Sequence, residues 1–211
     1  MDNPANQTLR NEIYLLLANL FRQPPNQPLH QFLTELECEA GDGPMQQAWH
    51  QLREAAAEHT PEQIEDEYQE LFIGIGRGEV VPFASWHLTG SLMEKPLAAV
   101  RQDLARLGLE REEQVKEPED HIAALCEVMS LISSEDKQIQ QQFFNRHIGS
   151  WYEKLATQIE QAEHASFYRA VANLCRAFCG YEQVSFSQNK YGQPIKTKID
   201  VKNVTQYEQS Q

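Results

Sequence analysis

Apolar side chains recur at helical spacing in one segment after another of this chain, and this periodicity limits the fold more than any other feature. The first segment shows it clearly, because its apolar residues fall on one helical face: Leu9, Ile13, Leu16, Leu17 and Leu20. No pair of segments carries a β-hairpin signal, and the chain has no internal repeat of about 20 to 50 residues. We therefore expect an all-α helical bundle.

Proline, glycine and capping residues divide the chain into about eight to ten helices. Thr60–Gln63 and Ser150–Glu153 have the pattern of capping boxes, and Gly108 is placed to end a helix that begins near Pro96. The spacing of apolar residues predicts further helices, at about residues 28–38, 44–58 and 135–148. Residues 74–90 are expected to form a loop.

A chain of 211 residues is long enough for one domain with a substantial core. Residues 109–117 hold six charges and two apolar side chains, so we interpret them as a charged connector between two helical halves, about residues 1–108 and 118–183. From residue 184 to 211 polar residues dominate, and this tail is expected to be flexible. Exchange of the halves through the connector would give a domain-swapped dimer, so both a monomer and such a dimer are open.

The charge of the chain narrows the choice of partners. Thirty-one acidic residues against 18 basic ones give a formal net charge of −13, which opposes the phosphate contacts that dominate nucleic-acid affinity. A cationic peptide or protein segment is the better electrostatic match. The sequence has no run of about 18 apolar residues and no secretory signal pattern. We expect a cytoplasmic protein without stable membrane insertion and without nucleic acid.

Residues 117–121 concentrate three carboxylates and an imidazole beside a proline, just where a strongly apolar helical stripe begins. Proline is tolerated in the first helical turn, and carboxylates there are stabilised by the helix dipole. His121 is less expected, because an imidazole titrates near neutrality. Asp120 and Glu119 could accept a guanidinium group in the bidentate geometry that arginine favours.

A second unusual block lies about 35 residues upstream. Tyr68, Leu71, Phe72 and Gly74 lead into a glycine-rich run, which is followed by Pro82-Phe83-Ala84-Ser85-Trp86. Aromatic side chains in a loop are often binding anchors, although they could instead cover the core, and both interpretations stay open. The glycine-rich run lacks the third glycine of a dinucleotide loop and the Gly-Lys-Ser/Thr of a P-loop, so it gives only weak support for a nucleotide site.

These motifs, in this order, resemble those of the cytoplasmic chaperones of molybdenum-containing respiratory oxidoreductases, the redox enzyme maturation proteins. The family pattern is similar to Tyr-x-x-Leu-Phe-x-Gly, then Pro-aromatic-x-Ser, then Glu-Pro-x-Asp-His, and the segments near Phe144 and Ala162 also resemble it. The resemblance runs from about residue 9 to about residue 180. It implies an all-α chaperone that is not an enzyme and has no cofactor of its own.

The resemblance also implies a partner: the apo catalytic subunit of a molybdenum-cofactor oxidoreductase, or its twin-arginine leader. Binding would assist cofactor insertion and prevent early export. We expect the client peptide in a cleft between the two halves, with the acidic surface facing the arginines. The residues assigned to client binding are Pro82, Phe83, Ser85, Trp86, Glu117, Glu119, Asp120 and His121, and those assigned to the cleft lining are Tyr68, Phe72, His87 and His147.

Two other functions stay open. Asp120 and His121, together with His147 or His87, could form the site of a metal-dependent hydrolase, but the chain has no His-Glu-x-x-His motif and no nucleophile elbow. A helical adaptor that docks on a mature reductase would need no leader peptide. The four cysteines, at positions 38, 126, 175 and 179, have no Cys-x-x-Cys spacing, so we expect reduced thiols. We also expect no metal site and no catalytic residue.

Overall fold

The computed structural model describes residues 4–74 and 78–187, and ten α-helices account for most of them. The helices are α1 (Pro4–Arg22), α2 (Gln27–Thr34), α3 (Pro44–Glu58), α4 (Pro61–Tyr68), α5 (Ala84–Thr89), α6 (Lys95–Leu107), α7 (Ile122–Leu131), α8 (Lys137–His147), α9 (Tyr152–Gln161) and α10 (Phe167–Ser187). A π-helix, Gln69–Ile73, continues α4, and a 3-10 turn, Ile132–Ser134, follows α7. The prediction of an all-α fold is confirmed.

Several helix ends lie where the local sequence predicts them. Thr60 and Gln63 form the predicted capping box, in which each side chain accepts the backbone N–H of the other residue. At the end of α6, Gly108 has a φ of 71°, a left-handed conformation that glycine adopts without steric cost.

Two predicted boundaries in the middle of the chain are wrong. The loop expected at residues 74–90 contains α5, which forms because Asp120 accepts hydrogen bonds at its N-terminus. Helix α9 begins at Tyr152, with Trp151 at the N-cap and no side-chain cap bond, so Ser150 does not form the predicted capping box. The Trp151 side chain is buried instead, so packing rather than a local capping bond determines where α9 begins.

The tail boundary predicted at Val184 falls inside α10, which continues to Ser187. The reason is Phe186, a buried side chain whose ring lies 5.4 Å from that of Phe144 and which extends the core beyond the predicted domain. The rest of the predicted tail, residues 188–211, lies outside the described residues, as do residues 75–77 of the glycine-rich run.

The core forms where helices from the two ends of the chain meet. Helix α1 packs along α7, and α10 packs on both α3 and α9. One cluster of buried apolar side chains runs through these contacts. Because α1 and α3 precede the predicted connector and α7 and α10 follow it, the two halves share a single core. Exchange of the two halves between two chains stays a prediction. In such a dimer, the contacts of α1 with α7 and of α3 with α10 would form between the two chains.

A buried ion pair joins the first and last helices. The Nε of Arg10 lies 2.8 and 2.7 Å from the two carboxylate oxygens of Glu182, which is 1% exposed. The hydroxyl of Tyr14 donates to the same carboxylate at 2.7 Å, and Arg10 also donates to Gln140 of α8 at 2.7 Å. Burial, followed by the negative charge of Glu182, raises the pKa of Tyr14 well above its usual value, so its hydroxyl stays a donor.

A second buried carboxylate caps α10 from another helix. Glu67 of α4 accepts the backbone N–H groups of Ser166, Phe167 and Tyr168 at 2.8, 3.0 and 2.8 Å. The first N–H groups of a helix have no partner within the helix, and a negative charge there is favoured by the helix dipole. Glu67 therefore fixes the start of α10 against α4.

Substitution Glu67→Gln keeps the shape of this side chain but removes its charge and turns one acceptor into a donor. We expect a loss of about 1–3 kcal/mol in the free energy of unfolding, because buried backbone donors then lack partners. Urea denaturation measures it. The matched control is Glu65→Gln on the exposed face of α4, which should change stability by less than about 0.5 kcal/mol. Equal effects of the two substitutions would contradict the capping role.

Candidate functional site

The two motifs at residues 82–86 and 117–121 meet in space. Ile122 donates its N–H to the carbonyl of Pro82, and Ala84 donates to the carbonyl of Asp120, both at 2.9 Å. These bonds flank an antiparallel bridge between Phe83 and His121. The sequence analysis placed both motifs in one client site, and the structure does bring them together.

The carboxylate of Asp120 lies at the centre of this contact. It accepts the N–H and the hydroxyl of Ser85 at 2.8 and 2.5 Å, and the Ser85 oxygen accepts the N–H of Glu94 at 3.3 Å. Ser85 is fully buried and Asp120 is 1% exposed. We call this contact the Ser85–Asp120 clamp. The expectation that Asp120 receives a guanidinium group is wrong for the surface as it stands, because its carboxylate is buried and already bonded.

His121 completes the clamp as the N-cap of α7. Its Nδ1 accepts the N–H of Ala123 at 3.1 Å, and its ring meets the edge of Phe83 at 4.9 Å. Residues 117–121 therefore precede the helix rather than forming its first turn. Burial, with a smaller contribution from the positive charge of Arg22, lowers the pKa of His121 to about 3, so the imidazole is neutral at physiological pH.

The other two carboxylates of residues 117–121 lie nearer the surface. Glu119 is half-buried and accepts a hydrogen bond from Arg101 at 2.9 Å, with Arg111 at 3.6 Å. Arg111 also donates to the carbonyl of Glu117 at 3.2 Å, which ties the connector to the start of α7. The side chain of Glu117 is exposed. Of the three predicted acidic contacts, Glu117 is thus the most accessible.

The remaining residues of the upstream motif surround the clamp. Pro82 is buried, whereas Phe83 and Trp86 are half-buried and can contact a partner. His87 hydrogen-bonds the carbonyl of Val81 at 2.8 Å and stacks on the ring of Trp151 at 5.1 Å. Burial lowers the pKa of His87, so this histidine also serves as a neutral packing residue.

The residues assigned to a cleft lining fall into two pairs: Tyr68 contacts Phe72, and His87 and His147 both contact Trp151. Tyr68 donates its hydroxyl to the carbonyl of Arg22 at 2.7 Å, and its ring lies 5.0 Å from that of Phe72. His147 is buried and hydrogen-bonds Asp103 at 2.7 Å. These side chains pack against residues of other helices, and the expectation that they line one cleft stays a prediction.

A large groove lies elsewhere, between α1, α2, α3 and the end of α10, and we call it the α1–α10 groove. Its volume is about 1420 Å³, larger than the roughly 300–1,000 Å³ of typical small-molecule pockets. Three of its apolar lining residues are strongly exposed: Leu9 (55%), Phe32 (55%) and Tyr181 (63%). The adjoining floor includes Ile13, Trp49 and Phe178. Groups of exposed apolar side chains mark binding sites.

The rim of the α1–α10 groove is acidic. Glu12, Glu37, Glu39 and Glu135 line it with exposed side chains, against Lys137 and the Arg10–Glu182 ion pair. An apolar floor with a negative rim favours a ligand that combines apolar and cationic groups. Sequence motifs do not reveal this site, because the spacing of Leu9 predicts a core stripe and nothing in it shows that the stripe is only partly covered.

The clamp and the groove lie at opposite ends of α7. His121 precedes the first residue of this helix, whereas Ser133 and Ser134, just after its last residue, line the groove. Ten residues of α-helix span about 15 Å. The structure therefore places the groove about one helix length away from the motifs that were assigned to the client site.

Metal-binding clusters and membrane-spanning helices are absent from the described residues. Among the described residues, no group of three His, Cys, Asp or Glu side chains is arranged to hold a metal ion. Over residues 4–74 and 78–187, no helix combines the length and the apolar character needed to span a bilayer.

The buried state of His121 predicts a pH dependence of stability. A histidine whose pKa is lowered in the folded state takes up a proton only on unfolding. Its contribution to the free energy of unfolding is therefore fully present above pH 6.5 and is lost as the pH falls toward about 3. Between about pH 7.5 and pH 5, the wild type should lose about 2 kcal/mol more than His121→Asn, in which asparagine still caps the helix. Urea denaturation at both pH values measures this difference, and parallel pH profiles would contradict the burial of a neutral imidazole.

Comparison with known proteins places these features in a family. A family model described as nitrate reductase delta subunit matches residues 38–157. The chaperone protein TorD of Vibrio parahaemolyticus is 27% identical over 127 residues, which cover 54% of this chain and 59% of that protein. The chaperone protein TorD of Shewanella loihica is 27% identical over 193 residues, which cover 81% of this chain and 89% of that protein.

The chain spans about three fifths of the length of the Vibrio relatives that it matches. A crystal structure of a candidate redox enzyme maturation protein from Archaeoglobus fulgidus has a TM-score of 0.53 at 18% identity and covers 82% of this chain and 93% of that one. At this identity the likeness shows the fold alone. The matches confirm the resemblance carried by the sequence motifs. Because the family model matches more than half of the chain, the protein belongs to the nitrate reductase delta subunit family.

Proposed function

We propose that this protein is a cytoplasmic chaperone that binds the twin-arginine leader, the apo catalytic subunit, or both, of one molybdenum-cofactor oxidoreductase. Binding assists insertion of the cofactor and prevents early export. The names of the curated relatives support a chaperone, and the Archaeoglobus protein, whose name refers to redox enzyme maturation, shares the fold. A leader must be met before export, which supports the cytoplasm as the place of action.

The observation that carries the proposal is the combination of size, apolar floor and acidic rim in the α1–α10 groove. A twin-arginine leader has two arginines followed by a moderately apolar stretch. The apolar stretch fits against Phe32 and Tyr181, while the arginines fit the carboxylates of the rim. The net charge of −13 also speeds the encounter with a cationic segment.

The surface around the Ser85–Asp120 clamp is proposed as a second client contact. Phe83 and Trp86 are half-buried, and Glu117 is exposed four residues before His121, the bridge partner of Phe83. Ser85, Asp120 and His121 then act indirectly, because they hold these side chains in place. The clamp surface lies about the length of α7 from the groove. A client that presents both a leader and a folded region could contact both surfaces, so we assign the clamp surface to the apo catalytic subunit.

A metal-dependent hydrolase is the weaker alternative. It requires Asp120 and His121 to reach a substrate or a metal ion, yet Asp120 is buried against Ser85 and His121 is a neutral helix cap. The curated relatives are named chaperones, which also favours a chaperone over a hydrolase. An adaptor for a mature reductase differs from the proposal in needing no leader, so leader titration separates the two.

Calorimetric titration with the twin-arginine leaders of the molybdoenzymes of the producing organism tests the proposal. One leader should bind selectively, and its copy with both arginines changed to alanine should bind at least about tenfold more weakly, since a charge-assisted pair contributes about 1.5–3 kcal/mol. Failure of every leader to bind would contradict the leader-binding proposal and favour the adaptor.

A matched pair of variants on α10 locates the site. Tyr181 lines the groove and Val184 does not, although both are exposed apolar residues of the same helix. Tyr181→Ala should weaken leader binding by about tenfold or more, because large aromatic anchors dominate peptide interfaces. Val184→Ala should leave it unchanged. Equal affinities of the two variants would move the leader away from the groove.

A further inference from the structure

We propose that the chain carries its own ligand for the α1–α10 groove, in the segment of residues 190–204 that follows α10. This segment docks in the groove when no client is bound and is displaced by the client. The docking itself is independent of the proposed function, whereas its role as a competitor of the leader rests on it. Position, side-chain pattern and charge support this assignment.

The position of the segment follows from where the described chain ends. Helix α10 ends at Ser187, and its last turns form one wall of the groove through Tyr181, Ser185 and Phe186. The chain therefore leaves the helix beside the groove. Seven residues separate Ser187 from Ile195, and an extended chain of that length reaches up to roughly 25 Å. The segment can enter the groove without any change in α10.

The side-chain pattern of the segment matches an apolar groove with a charged rim. Residues 195–202 read Ile-Lys-Thr-Lys-Ile-Asp-Val-Lys. In an extended conformation, Ile195, Ile199 and Val201 would share one face and the lysines the other, because side chains alternate along a strand. The apolar face complements the exposed side chains of Leu9 and Phe32. This run has no hairpin partner in the sequence, so its apolar face would be available to another surface.

The charge of the segment sets it apart from the rest of the chain. It holds four of the eight lysines of the protein, Lys190, Lys196, Lys198 and Lys202, and a single carboxylate, Asp200. The rim of the groove carries four exposed glutamates. The opposite charges of segment and rim favour the segment as the occupant of the groove. A second copy of the protein would be less favourable there, because it would bring two acidic rims together.

Tethering makes such a contact effective even when each interaction is weak. A segment joined by a short linker is present at about millimolar effective concentration. It would cover apolar surface that otherwise promotes aggregation. A cationic leader must then displace it, so only a leader with higher affinity occupies the groove, and selectivity for one client increases.

Cys38 provides a native probe of this docking. It lines the groove with a half-buried side chain, whereas Cys126, Cys175 and Cys179 are buried in the core. The rate at which a thiol reagent modifies Cys38 in the full chain therefore reports how far the groove is covered. The three core thiols should stay unreactive in every variant, which checks that the fold is retained.

Ile199→Asp places a carboxylate on the apolar face of the segment and should release it from the acidic groove. We expect Cys38 to react at least about fivefold faster, as for a groove covered about four fifths of the time. Tyr207→Asp makes the same change of charge beyond the segment and should leave the rate as in the wild type. A labelled synthetic peptide of residues 190–204 should also bind the Ile199→Asp chain more tightly than the wild type.

Equal Cys38 rates in all three chains, with no binding of the peptide, would overturn the inference. A wild-type rate that falls as the protein concentration rises would also overturn it, because the groove would then be covered by a second copy. None of these measurements includes a leader. A faster rate in Ile199→Asp combined with no leader binding would therefore refute the proposed function and leave the inference standing.

Discussion

The ion pair between Arg10 and Glu182 is the contact on which the arrangement of the helices around the groove depends. It joins the first helix to the last across the whole length of the described chain, and Gln140 and Tyr14 add two further hydrogen bonds to it. A buried charge that loses its partner costs about 3–5 kcal/mol, so α1 and α10 are held in one relative position. The α1–α10 groove lies between these two helices, α2 and α3, and the positions of Glu12, Ile13 and Phe178 in its lining follow from this arrangement.

Much of the fold could be predicted from the sequence, because helix formation depends on local signals. The capping box at Thr60 and the glycine at position 108 mark helix ends as expected. Helix α5 could not be predicted in this way, since the partner of its N-terminus, Asp120, lies 35 residues away in the chain. The extension of α10 likewise depends on a distant partner, because Phe186 is buried against Phe144.

The candidate site was only partly predictable, for a related reason. The motifs at residues 82–86 and 117–121 were correctly expected to lie together, but most of their polar groups bond to one another in the clamp. Unusual residue types therefore signalled a structural junction as much as a binding surface. The groove is built from ordinary residues such as Leu9 and Phe32, whose exposure depends on how the helices pack. Its two bounding helices, α1 and α10, lie outside the residues that the family model matches.

Hydrogen–deuterium exchange of the full-length Ile199→Asp chain, in which the groove is expected to be open, with and without a bound twin-arginine leader, tests the central claim most directly. Exchange reports local opening of backbone hydrogen bonds, so a ligand protects the elements that it contacts. Our account predicts added protection in the groove, at residues 7–16 and 178–187, with little change at residues 82–87 and 117–121. Protection confined to residues 82–87 and 117–121 would contradict it and place the leader on the clamp surface.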